Sequence, residues 1–139
     1  MTIDITDNIG RLTLDLRPSP TIGWVLVAGE AMVPNFRAAF DDDMTLDDLM
    51  QFHQGLKQLY TELKGYTVLR TPDGFLDVEA EIDLRGRIRW EITIRRGQGG
   101  PNAVSLNFEM NSDQSYLPPL LAQLEAAIDA FAPTTSPSN

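Results

Sequence analysis

At 139 residues the chain is sized for one domain, and it contains no cysteine, which removes disulfides, thiolate catalysis and cysteine-ligated zinc together. Hydrophobic residues make up 42%, enough to build a core at this length without a metal or disulfide staple. Twenty acids against 11 bases leave a formal charge of −9, a field that repels nucleic acid and anionic membrane and favours a basic partner.

The N-terminus, MTIDITDNIGRL, carries acids and no apolar run, unlike a signal peptide. No stretch approaches the roughly 20 apolar residues that span a bilayer. RLTLDLR then alternates, with Leu12, Leu14 and Leu16 on one face, and reads as a strand. RPSPTIG is a turn, WVLVAG a short strand, and NFRAAFDDD a weaker strand ending in three acids.

The first helix is well signalled. Thr45 is a good N-cap with Asp48 three residues on, as in a capping box. Asp47 and Asp48 lie where the helix dipole favours negative charge. Leu46, Leu49, Met50, His53, Leu56, Leu59 or Tyr60, and Leu63 follow helical spacing, and Lys64 and Gly65 are expected to end the element. Gly55, in mid-helix, suggests close packing on a sheet.

A run of hairpins follows. GYTVLRT is a strand and PDG a turn. FLDVEAEIDL alternates, with Leu76, Val78, Ala80, Ile82 and Leu84 expected inward and Asp77, Glu79, Glu81 and Asp83 outward. RGR turns the chain into IRWEITIRR, with Ile88, Trp90, Ile92 and Ile94 inward and Arg87, Arg89, Glu91, Thr93 and Arg95 outward. GQGGPNA is a loop and VSLNFEM the last strand. Leu117, Leu120, Leu121, Leu124, Ala127, Ile128 and Phe131 share one face of a second helix. Pro118 and Pro119 fit only its first turn, with Ser115 or a neighbour as cap and Asp113 just ahead. APTTSPSN reads as a linker, so residues 1–132 are expected to form one domain and 133–139 a disordered tail.

The expected architecture is α+β and two-layered. A mostly antiparallel sheet of six to seven strands carries two helices on one face, without an internal repeat.

Catalytic and metal chemistry find little to use. One histidine, His53, cannot build a dyad of histidines, and its place beside the apolar stripe suits a packed side chain. DDDMTLDDL lacks the alternating ligands and glycine turn of a calcium loop, so capping and a solvated acidic corner account for it, and no metal or cofactor is expected. GQGGPNA is not set between strand and helix as a nucleotide loop is. The acids Asp77, Glu79, Glu81 and Asp83 are expected to pair across strands with Arg87, Arg89 and Arg95. Two acidic surfaces are candidates for binding a partner: Asp41, Asp42, Asp43, Asp47 and Asp48, or Asp77, Glu79, Glu81 and Asp83.

Three segments in order carry a family resemblance: the helix TLDDLMQFHQGLKQLYTELKG, the hairpin strands LDVEAEIDLRGRIRWEITI and the terminus LNFEMNSDQSYLPPLLAQLEAAI. The arrangement, over residues 22 to 131, resembles the WapI-like immunity proteins, and the most specific piece is Asp113, Gln114, Ser115, Tyr116 and Leu117. The Pro118–Pro119 pair departs from the pattern and makes this piece more loop-like. The resemblance implies a cytoplasmic antidote without catalysis that binds the C-terminal domain of a cognate toxin, commonly a nuclease and hence basic. It assigns no binding residues. A small cytosolic ligand-binding or adaptor domain is the alternative, favoured if a cavity lies unfilled.

Overall fold

The structure, a computed structural model, describes residues 1–96 and 100–132; the expected tail, 133–139, and residues 97–99 of the glycine-rich loop lie outside the described residues. Four strands precede the first helix, where the sequence suggested three: β1 (Thr2–Thr6), β2 (Arg11–Pro18), β3 (Trp24–Val33) and β4 (Phe36–Thr45). The unexpected strand is β1, whose alternation rests on Ile3 and Ile5 alone, both buried. After α1 (Leu46–Glu62) come β5 (Tyr66–Arg70), β6 (Leu76–Ile82), β7 (Arg87–Arg96) and β8 (Val104–Asp113). A 3-10 turn (Gln114–Tyr116) leads into α2 (Leu117–Phe131).

The class is α+β, but the expected single sheet is two. Strands β1 to β4 form one antiparallel meander and β5 to β8 another. Alternation reports which face of a strand is buried and is silent on which sheet the strand joins. Four strands and a helix therefore occur twice in succession, a repetition of architecture that the sequence does not display. The helices do not share one face of one sheet either. Helix α1 packs on β5, the first strand of the second sheet, α2 packs on β1, the first strand of the first, and the helices touch each other.

Each sheet contributes an inner face to one continuous core. Leu12, Leu14, Leu16, Val25 and Val27 come from the first, and Val78, Ile88, Trp90 and Ile92 from the second. Burying each such side chain contributes roughly 1.5–3 kcal/mol. Trp90 also carries a polar atom inward, and its indole Nε1–H donates to the buried Ser112 Oγ at 2.9 Å, so the tryptophan is buried without an orphaned donor. Leu84, expected inward, is fully exposed because β6 ends at Ile82 and Leu84 belongs to the turn.

Helix α1 starts as its sequence dictates. Thr45 Oγ1 accepts from Asp48 N at 3.0 Å and Asp48 Oδ2 accepts from Thr45 N at 3.1 Å, closing a capping box. Its buried stripe is Leu46, Leu49, Phe52, Leu56 and Leu59; Met50, Tyr60 and Leu63, also placed on the stripe by spacing, are exposed. His53 is half-buried at the stripe's edge. Gly55 lies against Thr67 of β5, and a Cβ there would run into the threonine hydroxyl, so the glycine sets how closely helix and sheet approach. The helix stops earlier than Lys64 and Gly65 suggested. Leu63 takes the left-handed conformation at φ 54°, its N–H donating to Leu59 O at 2.9 Å. A leucine in that region is strained by about 1–2 kcal/mol.

The joint before α2 also differs in detail. Strand β8 runs to Asp113, three residues beyond Met110. Asp113 caps the 3-10 turn, accepting from Ser115 N at 2.7 Å and from the Ser115 hydroxyl, while Tyr116 stands at the N-cap of α2 with no capping side chain. Both prolines occupy the first turn, where no N–H is missed.

Candidate functional site

The two acidic surfaces differ once they are folded. On β4 the alternation splits the run of three aspartates. Val27 and Val25 of the core stand opposite Asp42 and Met44, so Asp42 shares the inner face while Asp41 and Asp43 lie on the outer one. Asp42 Oδ1 accepts from Asp43 N at 2.8 Å, and Oδ2 is buried with no hydrogen-bond partner among the described residues. Burial pushes the Asp42 carboxyl above its usual range; the Thr71 hydroxyl and the Asp43 N–H pull it down, and the charges of Asp73 and Asp43 push it further up. Carboxylate oxygens of Asp42, Asp43 and Asp73 lie within 4.8 Å of one another, so the β5–β6 turn of the second sheet meets β4 of the first at three acids, the group among the described residues that could hold a cation. Asp48 is engaged by the capping box, and Asp47 Oδ2 accepts from the Gln51 amide at 2.7 Å. Much of this corner is thus occupied by contacts within the protein.

The second surface is the outer face of the second sheet, and its pairings differ from the expected ladder of acids against arginines. Glu81 does stand opposite Arg89, but Glu79 is opposite Glu91, and Glu91 is opposite Glu109 of β8. Three carboxylates therefore run in a row across β6, β7 and β8. Like charges directly opposite destabilise a sheet. Arginines lie to the sides of the row: Arg89 Nη2 is 3.4 Å from Glu91 and its Nε 3.5 Å from Glu109, and Arg70 Nη2 is 3.9 Å from Glu79. These exposed pairs are each worth about 0–1 kcal/mol. Tyr66 OH donates to Glu79 at 2.6 Å, and this contact holds the phenol's pKa above its ordinary value.

Asp77, grouped with these acids by alternation, is only 9% exposed. Its Oδ2 lies 2.9 Å from Arg70 Nε and 4.0 Å from Arg95 Nη1, and its Oδ1 has no partner among the described residues. Asp83 sits in the β6–β7 turn, where backbone N–H groups of Arg87 and Arg85 hold its pKa below the usual carboxylate range. It is a turn residue more than a member of the face.

The segment from Asp113 to Leu117, with Asn111 just before it, ties the β8–α2 joint to the β1–β2 turn. Leu117 is fully buried, Tyr116 OH donates to Asn8 Oδ1 at 3.3 Å, and Asn111 N donates to Asp7 Oδ2 at 3.0 Å. The tyrosine thus fastens the second sheet's exit to the β1–β2 turn of the first. Gln114 is exposed beside Gly86. Glu109, which completes the acidic row, escapes a reading of single strands because its importance lies in register with β7. The signal that could have found it is the isolated acid in VSLNFEM, two residues from Asn111 on the same face.

Among solved structures the fold is similar to that of the plant transcriptional regulator PBF-2, with a TM-score of 0.54 over 94% of this chain and 81% of that one, at 9% sequence identity. No curated protein sequence matches the chain. The model of the Immunity protein WapI-like family matches residues 7–132, which takes in every strand from β2 onward and both helices. With nearly the whole fold inside that match, the chain belongs to the WapI-like immunity protein family.

Proposed function

We propose that the protein is a non-enzymatic immunity protein that acts in the cytoplasm, where it binds and neutralises the basic domain of a cognate bacterial toxin, a nuclease being the best chemical match. Membership of the family carries this reading. The toxin-binding surface is the outer face of the second sheet, centred on Glu79, Glu91 and Glu109. An acidic row aligned across three strands offers a basic partner a concentrated negative field, and complementary fields speed encounter. With one histidine and no cysteine, the chain offers few groups for nucleophilic catalysis, and inhibition by occlusion requires none.

The test is co-purification. The C-terminal domain encoded by a neighbouring reading frame is tagged, inactivated and expressed with this protein. A stable complex that weakens as salt rises is the expected result. If no neighbouring product forms a complex, the immunity reading fails.

A further inference from the structure

Each sheet has two edges, and three of the four are guarded. On β1, Asp4 N donates to Gln123 Oε1 of α2 at 2.9 Å. Strand β5 has only five residues, and α1 packs on it. Strand β4 carries Asp41, Asp42 and Asp43, and the Asp42 carboxylate accepts from Asp43 N at 2.8 Å. Shortness, cover by a helix and charge all blunt an edge.

Strand β8 has none of these over most of its length. It runs for 10 residues, and from Val104 to Asn111 it has no proline and a single charged side chain, Glu109. The ladder fixes which way its N–H groups point. Asp83 N donates to Arg87 O and Arg95 N to Phe75 O, so the odd-numbered residues of β7 bond to β6 and the even-numbered ones to β8. The odd-numbered residues of β8 therefore turn their backbone groups away from β7. Asn111 follows this rule, its N–H donating to Asp7 Oδ2 at 3.0 Å. The N–H groups of Ser105, Asn107 and Glu109 point to the same side and have no partner among the described residues.

The side chains along this edge differ by face. On the inner face Val104 is exposed, and Leu106 and Phe108 are only half-buried although Ile94 and Ile92 opposite them are buried. On the outer face the acidic row of Glu79, Glu91 and Glu109 ends at the edge itself.

We propose that the toxin domain adds an extended segment to β8 as a fifth strand of the second sheet. This rests on the immunity reading and gives it a docking geometry. The added strand is amphipathic. Apolar side chains on its inner face cover Val104, Leu106 and Phe108, and a lysine or arginine on its outer face stands beside Glu109, where the row of acids gains a cation. Main-chain hydrogen bonds to Ser105, Asn107 and Glu109 supply affinity, and the alternate side chains supply selectivity. A second copy of this chain would bring a further charge of −9 to the edge, whereas a basic domain brings the opposite sign.

The test uses the full chain and the tagged, inactivated C-terminal domain from the neighbouring reading frame. Amide exchange is followed residue by residue by NMR, free and in the complex. The amides of Ser105, Asn107 and Glu109 are expected to slow about tenfold or more on binding, since each passes from water to a ladder. Ser105→Pro removes one edge N–H and is expected to weaken the complex by about tenfold. Ala39→Pro makes the same change on the free edge of β4 and leaves binding unchanged. Melting curves of both variants separate lost docking from lost folding. A complex in which the three amides exchange as in the free chain overturns the proposal and leaves the immunity reading standing. Absence of any complex overturns both. Protection of the three amides in the chain alone, with a dimer in sedimentation, gives the edge to a second copy and also overturns the proposal.

Discussion

The acids of β4 and those of β6 to β8 are similar in number and opposite in use. On β4 and the start of α1, one aspartate points into the core side, another closes a capping box and a third accepts from a glutamine. On the second sheet, Glu79, Glu91 and Glu109 are aligned so that each meets its like. In the first set Asp47 and Asp48 are engaged by the start of the helix, and Asp42 is turned toward the core side. The second set brings like charges opposite one another and leans on Arg70 and Arg89 at its sides, an arrangement that local structure does not require. A run of acids in sequence does not by itself mark one outward face; register decides which acids are brought together.

The comparison can be tested by reversing charge on each side. Glu79→Lys, Glu91→Lys and Glu109→Lys together are expected to slow association with the toxin domain by roughly tenfold or more at low salt, the scale of electrostatic steering. Stopped-flow rates read the effect. The same reversal at Asp41, Asp43 and Asp47 changes the rate little, and an equal slowing by both sets would dissolve the distinction. Next in size is the capping box: Thr45→Ala removes one acceptor and is expected to cost about 1 kcal/mol of stability by urea unfolding. Glu91→Gln acts in the other direction. Removing the middle charge of the row is expected to raise stability by about 0.5 kcal/mol, less whatever its exposed pair with Arg89 contributes. A clear loss of stability would show that the row does not strain the sheet.

The last prediction depends on pH. Burial holds Asp42 above its ordinary pKa of 3.8, so its favourable contribution is present below that value and lost as pH rises through the folded value. Asp42→Asn should then melt higher than the parent at pH 7, with the two curves converging in acid. Asp83 and Asp113 have lowered values and opposite sign: their contribution is present above the ordinary pKa and lost as pH falls through the folded one. An Asp42→Asn difference that is constant between pH 3 and pH 7 would contradict the buried-carboxylate account.

Much of the fold was legible where local chemistry decides it. Thr45 and Asp48 announce their cap, β7 alternates strictly, and Leu117, Leu120 and Leu124 spell out a helix face that the structure buries. What stayed hidden depends on pairing. Nothing in Leu12 or Val78 says that they belong to different sheets, and nothing in Glu109 says that it faces Glu91. Phe52 was missed for a different reason: it replaces Met50 and His53 on the buried stripe through a small rotation of the helix, which spacing alone does not resolve. The candidate surface was half legible. Glu79 and Glu81 were found by alternation, whereas the inward turn of Asp42 and the burial of Asp77 followed from the neighbours across each strand.

The exchange of helices between the sheets has a consequence for synthesis. Asp4 N, on the free edge of β1, donates to Gln123 Oε1 at 2.9 Å, so the edge of the first strand is covered by a helix that follows all eight strands. While the chain is still being translated, that edge has no cover and can pair with a strand of another nascent chain. Fragments ending before α2 should therefore aggregate during expression, and native folding of these two sheets should wait on release of α2 from the ribosome.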